Sequence, residues 1–161
     1  MGGMEHEAAL RERLVEMLRS GDAHVGLDAA LEDLPPEQRG ARPPGQPHTV
    51  WRLLEHLRIA QWDILEFSRG PDHVSPPWPD GYWPDGDAPA SDAQWDEARE
   101  RYERDLDAFC ALLRDPGNDL FAPFPWGSGQ DLLREALVLA DHQAYHVGQI
   151  VLLRQLLGSW R

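Results

Sequence analysis

Cysteine occurs once, at Cys110, so a single chain offers neither a disulfide framework nor a thiolate metal cage. Positive charge is scarce as well: 15 Lys and Arg stand against 28 Asp and Glu, for a formal charge of -13. A surface this acidic repels phosphate backbones and anionic headgroups, which argues against nucleic acid as a partner. No run approaches roughly 18 uninterrupted apolar residues, so no membrane-spanning segment is expected. The first residues, MGGMEHEAALRERL, alternate in charge and lack the apolar core of a signal peptide, which makes a cytoplasmic protein the expectation. Strand patterns are missing too, since no segment alternates with period two while carrying β-branched residues.

What the chain does have is helical periodicity. Its 161 residues, 42% of them hydrophobic and seven of them tryptophan, suit one domain over 1–161 with a buried core. Four long patterns stand out, separated by stretches dense in Pro and Gly. The first runs from about Met4 to Ser20, and HVGLDAALEDL either continues it or forms a short extra helix before Pro35 and Pro36. The second covers roughly His48 to Ser68 and stops at Gly70 and Pro71. The third opens at Ser91 as N-cap, with Asp92 in the first turn, and runs to about Arg114. The fourth starts near Ser128 and continues to Leu157, with Gly158 as C-cap. The economical fold is an all-α four-helix bundle. About 20 residues join the second and third helices, far more than an antiparallel hairpin needs, so the expected order is up-down-down-up. That loop contains WPDG twice, at 78–81 and 83–86, around Tyr82, and reads as ordered. It is either a lid on the core or a wall of a pocket.

The segment DHQAYHVGQI places His142 and His146 one turn apart, about 40° from each other around the fourth helix. Val138, Leu139, Leu153 and Leu156 fall on the same side, which points the pair inward. Two readings stand. Buried neutral imidazoles can be satisfied by hydrogen bonds, for which this face offers Glu135 and Gln149. Alternatively, spacing of i and i+4 lets both rings reach one ion. The zincin motif H-E-x-x-H is not matched, because Gln143 stands where its glutamate would be and cannot take a proton from water. A third ligand is offered by His56 in the second helix. In an antiparallel pair, axial offsets of about 12 Å for His56 and about 17–22 Å for the other two need only a modest stagger to level. His48 reads as a helix-terminus residue, while His6, His24 and His73 fall near a chain end, in a turn and in the long loop. Cys110 sits among Phe109, Leu112 and Leu113 and reads as a small buried residue. Gly148, in mid-helix, suggests a close helix approach.

PHTVWRLLEHLRIAQWDILEF, followed about 75 residues later by LLREALVLADHQAYHVGQIVLLRQLLG, resembles the DinB/YfiT-like superfamily of bacterial four-helix-bundle proteins. The D-H-x-x-x-H-x-G-Q core carries most of the likeness, which extends strongly from His48 to Gly158. The resemblance implies a divalent metal, zinc or nickel, on His56, His142 and His146, with coordination positions left open. It also implies a metal-dependent enzyme of thiol S-transferase or hydrolase type, with a low-molecular-weight thiol as cofactor, as in the bacillithiol- and mycothiol-dependent relatives. Glu55, Glu135 and Gln149 are the candidates for supporting the ligands or moving protons. The alternative is a noncatalytic metal-binding or stress-response scaffold in which the ion ties two helices together. The fourth helix is apolar around most of its circumference, with Leu133, Leu137, Val151 and Leu152 away from the histidine face, so a homodimer is expected.

Overall fold

The computed structural model describes residues 2–160, and every regular element among them is helical. In chain order the α-helices are α1 (Gly2–Ser20), α2 (Leu27–Leu31), α3 (Val50–Arg69), α4 (Asp92–Arg114) and α5 (Leu132–Leu156), with single 3-10 turns at Pro36–Gln38 and Asp80–Tyr82. The caps explain the boundaries. Thr49 accepts from the Arg52 amide, Ser91 from that of Gln94 and Asp131 from that of Arg134, so each long helix after α1 begins on a side-chain oxygen. HVGLDAALEDL does not continue α1, because Gly21 at φ 71° and Asp22 at φ 42° turn the chain before α2. α5 begins four residues later than the expected Ser128. The Gln130 side chain instead accepts from the Ser128 amide at 2.5 Å, its carbonyl accepts from that of Phe124 at 2.7 Å, and Asp131 is left to cap. No described helix is long and apolar enough to cross a membrane.

α3 packs against both α4 and α5, and α1 closes the other side against the same two helices. Near the start of α3, Trp51 meets Trp95 of α4 at 6.3 Å; further along, Gln61 donates to the Tyr102 carbonyl at 2.6 Å. Contacts that advance together in this way run α3 and α4 in the same sense. Val15, Leu53, Leu54, Phe109, Leu139 and Ile150 are fully enclosed, and Cys110 lies buried among them. Two buried arginines satisfy helix-end carbonyls that would otherwise lack partners. Arg154 donates to Ala30 and Glu32 at the end of α2 and to Ser159, at 2.7–2.8 Å; Arg11 donates to Leu113, Asp115 and Asn118 at and just beyond the end of α4. Gln61, with no exposure at all, also accepts from Gln143 Nε2 at 3.1 Å, so one amide links three helices.

The long 70–91 connection is fastened along α3. Thr49 Oγ1 donates to the Asp87 carbonyl, Arg52 to that of Pro84, and Asp63 accepts from the Tyr82 hydroxyl at 2.6 Å while pairing with His73 Nε2 at 2.7 Å. These fastenings bring Trp83 against the core and leave Trp78 78% exposed.

Two expectations for α5 need correction. Val138 and Leu156 are 37% and 53% exposed, so only Leu139 and Leu153 share the interior with the histidines; the apolar arc is wider than the core it meets. A Cβ built on Gly148 meets nothing within 4 Å, so no close approach requires that glycine. Of the apolar residues set away from the histidines, Leu133 and Val151 pack on the core, whereas Leu137 and Leu152 remain 49% and 46% exposed.

Candidate metal centre

α3 supplies His56 from its second turn and α5 supplies His142 and His146 from its middle. Antiparallel packing at that level brings one ring nitrogen of each to within 4.8 Å of the others. His56 is 4% and His146 8% exposed, while His142 is half-buried at the seam between the core and the outer stripe of α5. His142 Nε2 lies 2.9 Å from His56 Nε2.

The opposite edges of two rings are committed. His56 Nδ1 donates to the Tyr82 carbonyl at 2.8 Å, and His146 Nδ1 donates to Gln149 Oε1 at 2.6 Å. Each bond places the proton on Nδ1 and leaves Nε2 with its lone pair, the tautomer a metal ligand needs. The donor types therefore suit a divalent ion, although the three nitrogens, spread over up to 4.8 Å, have to draw closer to share one. Two imidazole nitrogens each about 2.0–2.1 Å from one metal are about 2.9 Å apart when they subtend a right angle. His142 Nδ1 is buried without a partner, so this ring alone lacks a second anchor.

Electrostatics keep the rings neutral. Burial pulls His56 down to about 4 against the Tyr82 carbonyl, which favours the charged form; burial and the two neighbouring rings pull His142 down to about 3. Burial lowers His146 as well, against Gln149. At pH 7 all three present lone pairs without first shedding a proton.

Other predicted residues lie elsewhere. Glu55 is held by Arg58 at 2.6 Å, and Glu135, 4% exposed, pairs with Arg134; burial holds its carboxyl above the usual range. Neither makes a hydrogen bond to the histidines. Gln143 points into the core toward Gln61, so the position of the zincin glutamate does not face the site. The sequence offered the 70–91 loop as a lid or a pocket wall, but not the ring stack it builds on the far side of His56. Trp83 stacks on that ring at 3.9 Å and 3° between planes, and His48 stacks on Trp83 in turn at 4.3 Å and 8°. His48 precedes the Thr49 cap instead of opening α3, and its Nδ1 is buried without a partner. The doubled WPDG marked this loop as ordered, but nothing local in it announces a ring stack. Tyr145, 66% exposed, approaches His146 edge-on at 5.0 Å and forms the outer lip of the site.

No curated protein and no solved structure matches the chain significantly. A family model does match, over residues 22–150, a span that takes in α2, α3, α4, most of α5 and all three clustered histidines. With most of its length inside that match, the chain belongs to the DinB superfamily.

Proposed function

We propose that the protein is a metal-dependent enzyme that holds one zinc or nickel ion on His56, His142 and His146. The observation carrying this reading is the convergence of three neutral imidazoles, two of them fixed from behind in the ligating tautomer. Three protein ligands leave coordination positions for a small molecule, the arrangement of catalytic sites; structural sites are closed by a fourth protein donor. When bound, the ion would act as a Lewis acid and lower the pKa of a coordinated thiol or water. The chain's own part is to orient His56 through the Tyr82 carbonyl and Trp83, to orient His146 through Gln149, and to keep water off the buried side. Glu55 and Glu135 are occupied by arginines, so a nucleophile activated at the metal suits the site better than one activated by a side-chain base. That favours transfer to or from a low-molecular-weight thiol, with hydrolysis as the related reaction and the cytoplasm as the setting.

Elemental analysis of untagged, metal-replete protein should give about one divalent ion per chain, and His56→Ala should lower both occupancy and affinity. Wild-type protein without bound metal would remove the reading. Metal binding with no thiol conjugation across a broad electrophile panel would favour the noncatalytic scaffold, in which the ion serves to tie α3 to α5.

The assembly proposed with it is a homodimer. Val138, Tyr145 and Leu152 lie seven apart along α5, with Leu156 four further on, and all four are exposed. The stripe sits about 40–80° around the helix from His142. Two copies joined along it would flank both histidine sites.

A further inference from the structure

A second site lies on the other side of α5 from the histidine donors. A cavity of about 370 Å³ opens between the end of α1, the turn into α2, α4 and α5, with Met17, Leu27, Leu137, Ala140, Ala144 and Val147 among its walls. It falls within the usual size range of small-molecule pockets, which are mostly apolar with a few well-placed polar groups. Two such groups are present. Tyr102 is 3% exposed and Gln143 is 6% exposed, and both line the cavity. The Tyr102 hydroxyl makes no hydrogen bond among the described residues. Gln143 spends its amide nitrogen on Gln61 and leaves its Oε1 unbonded. Neither oxygen is among the side-chain atoms sealed without a partner, so each keeps surface that a small molecule can touch. An adjoining cavity of about 320 Å³ shares Leu18, Gly26, Leu27 and Tyr102, which puts Tyr102 on the common wall.

We propose that this cavity binds a small, uncharged aromatic alcohol, whose ring fills the apolar walls and whose hydroxyl accepts from Tyr102 and donates to Gln143 Oε1. A donor and an acceptor that no protein group uses remain open to a ligand, and a hydroxyl, being donor and acceptor at once, is complementary to both. Burial raises the Tyr102 pKa, so its proton stays available to donate. Anions are disfavoured by Asp22 and Asp141 at the rim and by the net charge of -13. The site does not depend on the metal reading, and its test separates the two.

The probe is 2-naphthol, titrated by fluorescence and calorimetry against naphthalene of nearly the same shape. Wild-type protein should bind 2-naphthol saturably at one per chain. Tyr102→Phe should weaken it roughly 5–10-fold without lowering the melting temperature, because the lost hydroxyl bonds nothing in the chain. Ala140→Leu, which projects into the cavity, should weaken binding at least about 10-fold, with the helical circular dichroism retained. Chelation should leave the affinity unchanged. No saturable binding, equal affinity for naphthalene together with an unaffected Tyr102→Phe, full affinity in Ala140→Leu, or loss on chelation would each overturn the proposal.

Discussion

Acidification tests the histidine centre quantitatively. An imidazole with the ordinary pKa of about 6.5 is only about 3% neutral at pH 5, so proton competition weakens its use as a ligand about 30-fold. Three such rings would weaken the site on the order of 15,000-fold between pH 7 and pH 5. Here His56 and His142 titrate near 4 and 3, so both remain essentially neutral at pH 5, and at most one ring, His146, can contribute competition. The expected loss of zinc affinity in the folded protein is therefore less than about 30-fold. The assay is competition against a chromophoric chelator of known pH dependence, at pH 7, 6 and 5, with circular dichroism confirming the fold at each point. Folding responds in the opposite manner. Because the folded pKa values lie below the unfolded one, the unfolded chain takes up protons first. The stability these rings contribute is complete above about pH 6.5 and is lost as pH falls through about 4 and then 3. By pH 5 the metal-free protein should have lost about 2 kcal/mol for each of the two rings, a large share of ordinary domain stability. A loss of zinc affinity above about 1,000-fold in protein that is still folded would refute the account of buried, neutral donors.

Gln149→Leu removes the acceptor behind His146 Nδ1 and should weaken metal binding about 10–100-fold with little change in melting temperature, measured by the same competition. Arg154→Met leaves the carbonyls of Ala30, Glu32 and Ser159 without their donor, and thermal denaturation should show a loss of about 2–4 kcal/mol. In light scattering, wild-type protein at micromolar concentration should have the mass of a dimer and Leu152→Asp that of a monomer; a monomeric wild type would remove the dimer.

Much of the helical layout and of the histidine cluster was legible because both rest on local periodicity. Ser91 and Gly70 are boundary residues by their own chemistry, and the i, i+4 spacing of His142 and His146 guarantees a shared face wherever the helix packs. His56 followed from chain direction and from the family resemblance. The remainder depends on contacts between distant segments. The α5 boundary moved because the Gln130 side chain found a loop amide, a competition the helical wheel does not represent. His48 looked terminal in sequence, yet the 70–91 loop returns Trp83 between it and His56, and no pattern near residue 48 encodes that stack. Val138 and Leu156 shared an apolar arc with the histidines, but the wheel cannot say where along that arc the core ends.

The acceptor behind His56 is a main-chain carbonyl, whereas the one behind His146 is a side chain. A point substitution can delete the second but not the first, since any residue at position 82 still carries a C=O. Apart from the Trp83 stack, the His56 side of the centre is thus sensitive to the loop's length more than to its side chains. Insertions and deletions between Gly70 and Ser91, more than amino-acid exchanges, are the changes through which relatives could retune this ligand.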